Sequence, residues 1–128
     1  MTRLVTDASA IAAIAFGEPE GEALAAKLEG ATLFAPTLLT FELTNTALKK
    51  MRKRPDQAAA ILKALEDALS DDRGINWRAV EPLDVALVAQ TLGCSAYDAA
   101  YVWLAGMLGA ELVTLDRRLA AVTAIATA

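Results

Sequence analysis

Short runs of strand character alternate with longer runs of helical period along the whole chain, and this alternation limits the fold more than any other feature. Leu4–Val5–Thr6 reads as a short buried strand ending at Asp7. A helical stretch follows from Ala8 to Phe16, stopped by Gly17–Glu18–Pro19. Glu20 to Leu28 is a second helical stretch, closed by Gly30. Thr32 to Ala35 is a second strand, and Pro36–Thr37 opens a helix reaching about Lys53. Pro55 begins the next helix, with Ala59, Leu62, Leu65, Ala68 and Leu69 at helical spacing. Ile75 to Val80 is a third strand, and Pro82 starts a helix that Gly93 ends after Leu92. Ser95 opens another helix running to Leu108, and Glu111 to Thr114 is a late strand. Asp116 leads into a short final helix, with a weak last strand near Thr123–Ile125. Strand–helix alternation with short connections predicts a parallel sheet covered by helices on both faces. At 128 residues the chain suits one domain, residues 1–128, with a single core.

Composition removes whole classes of chemistry. The chain has no histidine and one cysteine, Cys94. The usual general base, Ser-His triads and zinc sites built on imidazole or thiolate are therefore excluded. A bound metal must be held by oxygen, which selects Mg²⁺, Mn²⁺ or Ca²⁺. Cys94 cannot form an internal disulfide and is expected to be a small buried hydrophobe. The longest apolar run, Ala99 to Ala110, falls short of the roughly 18 residues of a membrane span. Asp7 interrupts the apolar N-terminal run where a signal peptide would carry none, so a cytoplasmic location without membrane attachment is expected.

In open parallel sheets, ligands bind beyond the carboxyl ends of the strands. Asp7 follows the first strand there, and Asp116 follows the late one through Leu115. Glu42 lies early in the helix after the second strand, and Asp98 in the first turn after Ser95. If those ends converge, the carboxylates repel one another and call for a cation. Each acid also has a plainer reading. Asp7 and Asp116 suit helix N-caps, Ser95-Ala-Tyr-Asp98 matches a capping box, and Glu42 could be solvated on an amphipathic helix. The apolar surroundings of Asp7, Glu42 and Asp98 favour the shared site, because such surroundings would otherwise shed a charge.

Four passages carry a family resemblance: VTDASAI around Asp7, APTLLTFELTNTAL around Glu42, CSAYDAAYVWLA around Asp98 and LVTLDRRL around Asp116. Together, in this order, they resemble the PIN-domain family, and more closely the VapC-type toxins of bacterial toxin–antitoxin pairs. The resemblance implies a three-layer α/β/α sandwich and an endoribonuclease that hydrolyses RNA phosphodiester bonds. It implies a Mg²⁺ site, with Mn²⁺ as a substitute, in which Asp7 and Asp98 are the best ligands. Glu42 would complete the centre, and Asp116 would bind metal directly or through water. Ser9 and Thr114 match supporting hydroxyl positions, and Asn45 a polar position beside Glu42. One or two ions would fit such a site. A homodimer and a cognate antitoxin are the implied protein partners.

An acidic chain with net charge −4 needs local cations to approach RNA. Lys49, Lys50, Arg52, Lys53 and Arg54 form a basic run after Glu42, and Arg117–Arg118 follow Asp116. These face RNA, the antitoxin or simply solvent, the Lys49–Arg54 run suiting the C-terminal end of its helix. Tyr97, Tyr101 and Trp103 share the helix of Asp98 and are expected to pack in a core or interface. The alanine-rich first two helices and the helix from Ala58 to Leu69 offer apolar surface for a dimer or an antitoxin. Three competing readings remain. A phosphoryl-transfer fold with Asp7 as nucleophile would need an acid where Ser9 stands. A receiver-like signalling domain would need a lysine after a late strand, and none occurs beyond Lys63. A non-catalytic PIN-like binding module would have little reason to carry all four acids.

Overall fold

The computed structural model describes residues 2–127. Four parallel strands, β1 (Arg3–Thr6), β2 (Thr32–Pro36), β3 (Ile75–Arg78) and β4 (Glu111–Val113), form one sheet in the order β3-β2-β1-β4. The register places Val5 of β1 beside Phe34 of β2 and Leu112 of β4. The described helices are α1 (Ala8–Ala15), α2 (Gly21–Leu28), α3 (Leu38–Lys53), α4 (Ala58–Leu69), α5 (Pro82–Leu92), α6 (Ala96–Leu108) and α7 (Arg117–Thr127). Helices α1 to α4 pack on one another, as do α5 to α7, and the sheet lies between them in an α/β/α sandwich. None of the described helices is long and apolar enough to cross a membrane.

The core follows from the apolar pattern. Val5, Leu39, Leu43 and Leu119 are fully buried, and a main cluster joins the sheet to α1, α2, α3, α6 and α7. A smaller cluster, Val85 with Ala99 and Ala100, glues α5 to α6. Cys94 packs at the edge of that cluster and is half-buried, less enclosed than expected, because it sits in the turn between the two helices. On α4 the buried residues are Ile61 and Ala68, while Ala59 and Leu62 face solvent. The inward stripe is thus rotated by about one residue, since Leu65 and Ala68 fit either phase.

The strand expected near Thr123–Ile125 does not form; these residues belong to α7. Leu119 and Val122 bury one face at helical spacing, and the Thr123 hydroxyl bonds back to the Leu119 carbonyl. β-branched residues can therefore be held in a helix when packing decides.

Gly21 and Gly106 make opposite predictions. A Cβ at Gly21 would lie 2.5 Å from the Ala13 carbonyl oxygen, where α1 and α2 touch. Gly21→Ala should therefore destabilise by about 1–3 kcal/mol. Gly106 lies inside α6 with open space around it, so Gly106→Ala should stabilise by about 0.4–1 kcal/mol. Urea unfolding of the two variants reads both signs.

Candidate active site

Strand β1 has β2 on one side and β4 on the other, so the chain order reverses beside it. This is where an open α/β sheet leaves a crevice at its carboxyl ends. Asp7 leaves β1 at that edge and Asp116 follows β4.

Asp7 is 5% exposed, and three donors converge on it. The Ser9 hydroxyl donates to Oδ1 at 2.8 Å, the Ala10 N–H to Oδ1 at 3.1 Å, and the Thr114 hydroxyl to Oδ2. Asp7 is thus the N-cap of α1, as its plainer reading expects, and it stands at the carboxyl edge of the sheet. Ser9 and Thr114 also tie the crevice walls. Ser9 Oγ accepts the Leu115 N–H at 2.9 Å, and Thr114 Oγ1 accepts the Asp116 N–H at 2.9 Å. Asp116 caps α7, its Oδ1 accepting from the N–H groups of Arg118 and Leu119.

Glu42 is half-buried on the first turns of α3, more enclosed than a solvated helix position. It accepts a hydrogen bond from the Tyr101 hydroxyl, which projects from α6 one turn beyond Asp98. Burial raises the Glu42 pKa; the Tyr101 bond opposes this, while the charges of Asp7, Asp98 and Asp116 raise it further. Three acids from separate stretches of chain thus add to the negative charge around Glu42. The Asp7 pKa is also raised, chiefly by burial, with its three hydrogen bonds working against the rise and Asp116 adding to it. Burial and the Glu42 contact push the Tyr101 phenol far above its ordinary range, so it remains a donor.

Ser95 caps α6, its Oγ accepting the Asp98 N–H at 3.1 Å. The second half of a capping box does not form. The Asp98 carboxylate, 6% exposed, turns instead to Arg118, whose Nε donates at 2.9 Å. The same guanidinium lies 3.7 Å from Asp116. Arg118 thus reaches two of the acids from a largely exposed position.

The other candidates divide. Asn45 is exposed and hydrogen-bonds to no member of the group among the described residues. Tyr97 is 65% exposed beside Asp98, so of the core-or-interface expectation only the core is excluded for it; Tyr101 is buried, and Trp103 packs against both apolar clusters. Lys50 is occupied by Glu18 at 3.2 Å and lies over the Phe16 ring. Sequence reasoning missed the Tyr101–Glu42 bond and the contact of Arg118 with Asp98. The three-residue spacing from Asp98 to Tyr101, which puts both on one helix face, was the available signal for the first.

The sequence profile of the PIN domain matches residues 4–125. The chain belongs to the PIN domain family. This PIN domain is 36% identical over 122 residues to Ribonuclease VapC3 of Pyrobaculum aerophilum, with 92% of each chain covered. Its fold is similar to the crystal structure of PAE2754 from Pyrobaculum aerophilum, with a TM-score of 0.75 at 30% identity. That match covers 95% of this chain and 80% of the other.

The raised pKa of Glu42 has a consequence for stability. A carboxyl that holds its proton more tightly when folded contributes most below the unfolded pKa, roughly 4. That contribution is lost as pH rises through the folded pKa. In EDTA, Glu42→Gln should therefore gain stability relative to wild type as pH climbs through this window. Urea titrations from pH 3.5 upward at half-unit steps (~0.5) follow the difference. A constant offset at all pH values would show that Glu42 titrates normally.

Proposed function

We propose that this PIN domain is a metal-dependent endoribonuclease, the toxin of a type II toxin–antitoxin pair. The observation that carries the reading is that side-chain contacts tie the four acids into one group: Arg118 reaches both Asp98 and Asp116, Thr114 bonds Asp7 and the Asp116 backbone, and Tyr101, one turn beyond Asp98, bonds Glu42. The relative named as a ribonuclease, alike over nearly the full length, supports the same activity. A receiver-like role fits less well, since no lysine follows a late strand. A non-catalytic binding module leaves the raised carboxyls of Asp7 and Glu42 without a use.

The donor set suits Mg²⁺ or Mn²⁺. Every available ligand is a carboxylate or hydroxyl oxygen, the acids repel one another, and Arg118 already occupies part of the group as a cation. Among the described residues no three acids are gathered tightly enough to form a ready cage. Mg²⁺ does not require one, because it keeps several waters and uses one or two direct carboxylates. Asp7 and Asp98 would hold it, with Glu42 and Asp116 completing the centre. When bound, the metal supplies a lowered water pKa and charge neutralisation at the scissile phosphate. Ser9 and Thr114 fix the Asp7 carboxylate, and Tyr101 fixes Glu42. Arg118 balances Asp98 and Asp116 and is the nearest cation for an incoming phosphate.

The family reading adds a homodimer, a cognate antitoxin, a cytoplasmic location and a single domain over residues 1–128. RNA cleavage should require Mg²⁺ or Mn²⁺ and stop in EDTA. Gel assays on defined RNAs, with metal content checked by elemental analysis, test it. Full activity in metal-free protein would overturn the metal-dependent reading.

A further inference from the structure

The solvent face of α3 carries side chains that the acidic group leaves unused. Phe41 is 80% exposed immediately before Glu42, and Asn45, Lys49 and Arg52 are exposed beyond it. At about 100° per residue these positions fall within roughly a quarter of the helix circumference. At about 1.5 Å per residue the stripe extends roughly 16 Å away from Glu42. Lys49 and Arg52 join no ion pair among the described residues, whereas Lys50, off the stripe, is held by Glu18. The stripe contains no acidic side chain.

We propose that this face of α3 is the track along which single-stranded RNA leaves the acidic group, with Phe41 stacking an unpaired base and Lys49 and Arg52 holding the phosphates beyond it. The proposal rests on the ribonuclease reading and names the form of its substrate. A single strand offers a flat base face and regularly spaced anions on one flexible chain. The stripe offers an aromatic ring followed by cations, leading away from the carboxylates that would repel a polyanion. A duplex keeps its base faces stacked inside and gives Phe41 nothing to cover. The track also assigns Asn45 a place between ring and cations, where a polar group can meet a sugar or base edge. It offers a way for a chain of net charge −4 to hold RNA: two cations outside any ion pair among the described residues, Lys49 and Arg52, are aligned on one acid-free helix face.

The test uses the full chain with Mg²⁺ and oligouridines from two to ten nucleotides. For wild type, kcat/KM should rise with length as the strand reaches Phe41, then Lys49 and Arg52, and then level off. Phe41→Ala should lower kcat/KM about tenfold on the longer oligomers and leave the dinucleotide unchanged. Binding of a labelled ten-nucleotide oligouridine is measured by anisotropy in a cleavage-dead Asp7→Asn background. There, Lys49→Gln with Arg52→Gln should flatten the slope of log affinity against log salt by about 1.4, or ~0.7 per lost contact. Lys63→Gln, which removes a cation paired to Glu66 and Asp67 on α4, should leave that slope unaltered. If wild type cleaves RNA but the α3 variants keep its length dependence and salt slope, the track is overturned and the ribonuclease reading stands. The stripe would then be a surface for a protein partner. If wild type neither binds nor cleaves any RNA, both readings fall.

Discussion

Asp7→Asn is expected to reduce RNA cleavage by about 10³-fold or more while leaving the protein folded. The two halves of this result come from different atoms of one side chain. Asparagine is as good an N-cap as aspartate, and its Oδ1 can still accept the Ala10 N–H and the Ser9 hydroxyl. The amide nitrogen would replace Oδ2, where the Thr114 hydroxyl now donates, and that hydroxyl can rotate to accept instead. Removing a buried charge that Asp116 disfavours offsets part of the lost charge-assisted bonding. The net stability change in EDTA should stay within about 1 kcal/mol. Cleavage has no such compensation. Losing a direct carboxylate ligand removes several kcal/mol of charge stabilisation, and about 4 kcal/mol corresponds to 10³ in rate. Wild type should also gain stability from Mg²⁺ by linkage, about 2.7 kcal/mol at a hundredfold excess over Kd, and the variant much less. Thermal unfolding with and without Mg²⁺, beside a nuclease assay, gives all three readings. A variant that cleaves within tenfold (~10) of wild type would remove Asp7 from the metal centre.

Legibility differed by the range of the interaction. The strand–helix order could be read because each element is local: Pro55 and Pro82 stand at the starts of helical turns, and Gly93 and Gly109 adopt left-handed conformations at helix ends. Asp7 and Asp116 could be placed at the crevice because both follow strands of a parallel sheet, where chain position and ligand position coincide. The Thr123–Ile125 segment is helical because Leu119 and Val122 bury one face of α7 at helical spacing. The phase of α4 is likewise set by packing, since alanine and leucine fill its whole circumference and only the neighbours of Ile61 choose the inner side. The Tyr101–Glu42 bond joins residues 59 positions apart, and the Thr114–Asp7 bond joins residues 107 apart. No local pattern encodes such pairings. The contact of Arg118 with Asp98 joins α7 to α6 across 20 positions and is likewise set by the fold.

Ser95→Ala and Asp98→Asn should separate stability from activity in opposite directions. Ser95 and Asp98 look like one capping box in sequence, yet only the serine half is used in the cap. Ser95 Oγ satisfies the Asp98 N–H, a donor that would otherwise be orphaned at the start of α6. Ser95→Ala should therefore cost about 0.5–2 kcal/mol, and cleavage should stay within a few-fold of wild type because no carboxylate changes. The Asp98 side chain supports no backbone group of α6; it faces Arg118 and adds to the charge felt by Glu42. Asp98→Asn exchanges an ion pair with a largely exposed arginine for relief of that repulsion. Asparagine keeps an oxygen acceptor for Arg118, and relief of repulsion offsets the lost charge, so the metal-free variant should unfold within about 1 kcal/mol of wild type. Its cleavage should fall by about 10³-fold, and Mg²⁺ should no longer raise its unfolding temperature, because a direct ligand is gone. Thermal unfolding in EDTA and in Mg²⁺, paired with cleavage of one defined RNA, measures both variants on the same axes. An Asp98→Asn protein that is less stable, still stabilised by Mg²⁺ and still active would make the carboxylate part of the helix cap. The ligand set would then contract to Asp7, Glu42 and Asp116.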